Sequence, residues 1–204
     1  MIEVSKNNLI KGAAGRLTLF DMHFRPNGVQ KPIILYVHGF NGFKDWGNFD
    51  LIANYFSEQG FFFIKMNLSH NGTTVDQPEV FADLDAYSQN NYSKELEDIE
   101  KMLNWISDET NPFSIQFDRQ KIVLLGHSRG GGISIIKASE DARVKALITW
   151  AAVSECKTPW GNWSPEKMKD WKDNDIVYIK NQRTQQLMPI RYQLYQDYER
   201  HSKR

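Results

Sequence analysis

The chain has 204 residues, enough for one domain with a substantial core and a small excursion. Hydrophobic residues make up 41% and charged residues 25%, the balance of an ordinary globular protein. Lysine plus arginine equals aspartate plus glutamate at 25 each, so no bulk field recruits nucleic acid or anionic membrane.

The N-terminus, Met1-Ile2-Glu3-Val4-Ser5-Lys6, lacks the basic start and long apolar stretch of a secretory signal. Apolar runs such as Ile33 to Val37 and Phe61 to Ile64 are far too short to span a bilayer. The single cysteine, Cys156, cannot form a disulfide within the chain and reads as a structural thiol. A cytoplasmic protein is expected.

Residues 2 to 30 read as short strands and turns. Leu17, Leu19 and Asp21 alternate with Thr18, Phe20 and Met22, and Asn27-Gly28 turns the chain. Pro32 to Val37 is a continuous apolar run ending in His38-Gly39, as a strand buried on both faces requires. Phe49, Ile52, Ala53 and Phe56 fall at helical spacing, with Gly60 as the stop. Phe61 to Ile64 predicts the next buried strand, followed by Ser69-His70-Asn71-Gly72 and a loop of roughly twenty residues. Ser93 is placed to cap a helix whose apolar stripe is Leu96, Ile99, Leu103 and Ile106, ending by Asn111-Pro112. Ile122 to Leu125 and Val144 to Val153 predict two more strands, with a helix between them through Ala138. The alternation implies βαβ units and a mostly parallel sheet with helices on both faces. Beyond Val153 the remainder reads as one or two helices, with Leu187, Ile190, Leu194 and Tyr198 on one face of the last.

Chemistry concentrates at Gly126-His127-Ser128-Arg129-Gly130. In Gly-x-Ser-x-Gly the serine occupies a sharp, strained turn between strand and helix, and side chains two residues before and after would collide. Gly126 and Gly130 supply those clearances, and the helix N-terminus below favours developing negative charge. An ordinary glycine-rich βα turn is the competing reading; as a phosphate cradle it would need another glycine spacing and a lysine, and neither is present here. No metal-ligand spacing and no dinucleotide fingerprint is seen, so no metal or cofactor is expected.

Together with His38-Gly39-Phe40-Asn41-Gly42-Phe43-Lys44-Asp45-Trp46, this motif resembles the α/β-hydrolase superfamily over roughly residues 15 to 154. The nearest likeness is to bacterial esterases and to serine aminopeptidase-like and prolyl-oligopeptidase-like hydrolases. The resemblance implies Ser128 as nucleophile and the backbone N–H groups of Phe40 and Arg129 as an oxyanion hole. His38 and Gly39 then belong to the oxyanion loop, where His38 fixes geometry rather than abstracting a proton.

The superfamily order is serine, acid, then histidine, each on a later strand. Of the five histidines, His23, His38 and His70 precede the serine and His127 adjoins it. His201, one turn after Asp197, reads as a solvated helical pair. The expectation is a hydrolase core over residues 1–154 and a helical cap over 155–204, in a chain truncated before its last two strands and the remaining catalytic residues.

Three functions stand. A carboxylesterase would hydrolyse small acyl esters through a Ser128 acyl-enzyme, with Trp160 and Trp163, beside Trp171, either lining an acyl pocket or forming the core of the cap. A peptidase of the same fold would grip the terminus of a short peptide, with Glu155 and Glu166 as available carboxylates. A non-catalytic fragment would bind a ligand without turnover.

Overall fold

In a computed structural model, which describes residues 1–201, six strands form the main sheet in the order β1-β2-β4-β3-β5-β6. These are β1 (Glu3–Lys11), β2 (Leu17–Phe24), β3 (Lys31–Val37), β4 (Phe62–Met66), β5 (Phe117–His127) and β6 (Val144–Trp150). The β3–β4, β3–β5 and β5–β6 pairs are parallel, whereas β1 and β2 add an antiparallel edge. Helices α1 (Phe49–Glu58), α2 (Leu84–Ser88), α3 (Tyr92–Ser107) and α4 (Arg129–Glu140) connect them.

The continuous apolar runs go to the centre because both strand faces are covered. Ile33, Leu35 and Val37 share one core with Ile99, Met102, Leu103 and Ile106 of α3. Ile34 and Tyr36 face α1 on the other side, where the Tyr36 and Phe49 rings stack at 3.8 Å. Each such side chain contributes about 1.5–3 kcal/mol on leaving water. Strand β2 departs from the expected half-buried alternation: every residue from Thr18 to Phe24 is buried, Asp21 and His23 among them. Strand β6 ends the sheet among the described residues, with Lys145, Ala146, Leu147 and Thr149 exposed.

Two local expectations change. The cap of α3 is Asn91, whose side chain accepts from the Lys94 N–H, while Ser93 donates instead to Asp197. The last fifteen or so residues are not one helix. They divide into β8 (Leu187–Arg191), paired antiparallel with β7 (Ile176–Lys180), and α6 (Gln193–His201). Pro189 lies inside the predicted helix, where its missing N–H and ring favour extended backbone. Residues 155–201 are therefore a mixed segment, with α5 (Pro165–Asn174) preceding the hairpin; residues 202–204 of the expected cap lie outside the described residues.

Candidate active site

Ser128 stands between the end of β5 and the first turn of α4 with φ 54° and ψ −122°. A non-glycine residue there carries about 1–3 kcal/mol of backbone strain that its surroundings must hold. Its N–H donates to the Trp150 carbonyl at 2.9 Å, and its own carbonyl accepts from Gly131, Gly132 and Val153. The two flanking glycines are compulsory. A Cβ at Gly126 would lie 2.5 Å from the Gly130 carbonyl oxygen, and one at Gly130 would lie 2.3 Å from the His38 carbonyl oxygen.

The loop after β3 meets this elbow directly. A Cβ at Gly39 would lie 3.0 Å from the Ser128 Cβ. The Gly39–Phe40 peptide is gripped by its carbonyl, which takes bonds from His38 Nδ1 at 2.9 Å and from the Gly42 N–H at 3.0 Å. His38 Nε2 accepts from the Leu68 N–H at 3.1 Å, so the neutral ring carries its proton on Nδ1. Burial pushes the His38 imidazole down to about 4, against the Gly39 bond, which matches that neutral form. Asn41, at φ 55°, accepts from the Tyr87 hydroxyl through its side chain and from Arg183 of the β7–β8 loop through its carbonyl.

The Arg129 side chain runs inward rather than toward solvent and is 1% exposed. It meets Glu95 of α3 at 3.0–3.1 Å, lies over the rings of Tyr92 and Phe40, and donates to the Thr158 carbonyl at 3.3 Å. Burial raises the Glu95 carboxyl, while Arg129 and the Asn90 amide oppose that rise.

Below the loop lies a buried charge network that sequence reasoning missed. Lys44 Nζ reaches Asp21 at 2.8 Å and Asp45 at 2.5 Å, and Lys65 Nζ contacts Asp21, Asp45 and Asp50. Lys6 reaches Asp50 at 2.8 Å from β1. Asp21, His23 and Asp50 offer ligand atoms within 4.8 Å of one another, but the Lys65 ammonium already contacts both carboxylates, and Lys44 and Lys6 supply further countercharge to Asp21 and Asp50. The available signal was Asp21 and Lys65 within otherwise apolar strands.

Among the described residues no hydrogen bond joins Ser128 Oγ to a histidine. His23 bonds Asn54, His70 bonds Ser69, and His127 sits beside the Phe49 ring. His201 contacts Ser93 and Asp197; this pair is largely buried rather than solvated. Trp160 and Trp163 both pack on Trp171, at 5.7 and 5.2 Å between ring centroids, and Trp171 donates to the Ile190 carbonyl. They join the main core, where Trp160 also meets Tyr92 of α3 at 6.4 Å between ring centroids. Cys156 is a partly buried free thiol raised by burial.

A strained serine between a parallel strand and a helix, set against a histidine-glycine loop, defines an α/β protein with an elbow. A family model described as the alpha/beta hydrolase fold matches residues 32–188, and the chain belongs to that family. A polyketide transferase of Stachybotrys chlorohalonatus is 27% identical over 126 residues, covering 62% of this chain and 38% of that protein. The structure of an alpha/beta hydrolase from Penicillium matches with a TM-score of 0.65 at 16% identity, over 92% of this chain and 61% of the other. A protein assigned as a hydrolase from Agrobacterium vitis matches with a TM-score of 0.68 at 14% identity, over 98% and 72%. The chain thus spans well under half the length of the curated relative and about three fifths of the Penicillium protein. No helix among the described residues is long and apolar enough to cross a membrane.

Proposed function

We propose that Ser128 is the nucleophile of a serine hydrolase acting on small acyl esters. The observation that carries this reading is the strained Ser128 backbone packed against Gly39. Ser128 Oγ attacks the ester carbonyl carbon, the carbonyl oxygen becomes an oxyanion, and the Phe40 and Arg129 N–H groups receive it. The N–H of Arg129 opens α4, where backbone donors lack helical partners. The alcohol departs with a proton, and water then releases the acid from the acyl-enzyme. Fixed donors of this kind are each worth about 3–4 kcal/mol of transition-state stabilisation.

Hydrolysis also needs a base for the Ser128 proton. None of the five histidines bonds Ser128 Oγ, so residues 1–201 are expected to acylate slowly. The name of the polyketide transferase relative favours a second reading, in which the acyl group passes to an acceptor other than water. Peptide hydrolysis and ligand binding without turnover are the other outcomes.

A fluorophosphonate probe tests the central reading. Slow labelling of the folded chain, lost in Ser128→Ala, is expected. Unchanged labelling in that variant would remove the serine from the mechanism. Turnover of p-nitrophenyl butyrate over aminoacyl-p-nitroanilides separates ester from peptide chemistry.

A further inference from the structure

We infer that Arg183, at the tip of the β7–β8 hairpin, is a positioning residue for the Phe40 N–H, because it fixes the loop after β3 that carries this donor. The role rests on the reading of Ser128 as the nucleophile. The loop needs a hold from outside itself. It turns on one hydrogen bond, from the Gly42 N–H to the Gly39 carbonyl at 3.0 Å, and Asn41 sits at φ 55°. Asparagine visits that left-handed region more readily than most residues, but it is not its preferred backbone. The Tyr87 hydroxyl holds the Asn41 side chain, and Arg183 Nη2 holds the Asn41 carbonyl.

The guanidinium grips both halves of the loop at once. While Nη2 donates to Asn41, Cζ lies 3.0 Å from the centre of the Trp46 ring. A planar guanidinium can stack on a ring and donate along its own plane, which an ammonium cannot do. Trp46 is itself fixed, edge to face with Phe43 at 5.7 Å and with its N–H on the Phe43 carbonyl. The hairpin tip is built to present Arg183. Buried Asn181 accepts through its side chain from the Arg183 N–H at 3.0 Å, and its backbone bonds Gln185 and Gln186. Gln186 Nε2 anchors the same turn to the Phe81 carbonyl at 3.0 Å. Arg183 thus carries the order of the hairpin into the oxyanion loop.

The test compares the 204-residue chain with its Arg183→Ala variant, by fluorophosphonate labelling at Ser128 and by amide hydrogen exchange. Arg183 is exposed, so the variant is expected to keep the wild-type Tm. Its saturating labelling rate is expected to fall about tenfold at unchanged probe affinity, short of the roughly 10²- to 10³-fold of a deleted oxyanion donor. The Gly42 N–H should exchange faster. Guanidinium at about 50 mM, far below unfolding concentrations, should restore both, whereas Arg183→Lys should restore neither. Wild-type labelling in Arg183→Ala, or a loss that guanidinium leaves in place, would overturn the positioning role with Ser128 still the nucleophile. Labelling that survives Ser128→Ala would remove the nucleophile reading and this role with it.

Discussion

The Arg129 guanidinium lies 5.6 Å from the centre of the Phe40 ring, so the two residues proposed to bind an oxyanion through their backbones also hold each other through their side chains. The same guanidinium is paired with buried Glu95 and rests 4.2 Å from the Tyr92 ring centre. Elbow, loop and α3 are thereby one packed unit.

Breaking that pair on one side leaves a buried charge alone. Glu95→Leu is therefore expected to destabilise the chain by about 3–5 kcal/mol. The double variant Glu95→Leu, Arg129→Met removes both charges and is expected to recover much of that loss. Urea unfolding of the four proteins in the cycle measures the coupling. Additive losses would show that the pair does not act as a unit.

Ser128→Gly separates strain from chemistry. Glycine adopts φ 54° without a Cβ penalty but enlarges the unfolded ensemble by about 0.5–1 kcal/mol. With about 1–3 kcal/mol of strain released, net stability is expected to rise by about 1 kcal/mol. Fluorophosphonate labelling should vanish in the same protein.

Gly130→Ala reads the closeness of the loop to the elbow. The added methyl meets two backbone oxygens, of Val37 at 2.4 Å and His38 at 2.3 Å, and neither can rotate away. A loss of about 1–3 kcal/mol or more is expected, from the melting curve, with labelling abolished at temperatures where the variant is still folded.

Acid should weaken the fold through histidine. His38 and His70 are both depressed to about 4, chiefly by burial, against an ordinary value near 6.5. The unfolded chain binds protons first, so the stability they contribute is lost as pH falls from about 6.5 to 4. Asp98 works oppositely: burial lifts it to about 7 despite bonds from Ala13 and Ser69, so its contribution falls as pH rises from about 4 to 7. In Asp98→Asn the histidine effect is less opposed, with only the raised Glu95 carboxyl still acting against it among the groups named above. Urea midpoints at pH 4.5 and 7 should therefore diverge more in the variant than in the wild type.

The parallel core was legible because its strands are unbroken apolar runs, and Ile33 to Val37 needs no partner residue to be recognised. The elbow was legible because its two glycines answer a local collision. Strand β8 was not: Leu187 and Ile190 on the strand and Leu194 and Tyr198 on α6 mimic helical spacing across a junction. Pro189 was the sign against it. The Lys44 and Lys65 network was hidden for another reason. Its members come from four elements and a loop, and only the sheet order brings Asp21 beside Lys65.

Lys44 and Asp45 tie the residues just after Phe40 into that network, with the Lys44 N–H held by Asn67 at 2.6 Å. Inserting one residue between positions 40 and 44 would slide the buried Lys44 out of register with Asp21. Surface loops tolerate changes of length readily, but this one is bolted at both ends. Variants of this loop are expected to fold when they replace residues one for one rather than lengthen it.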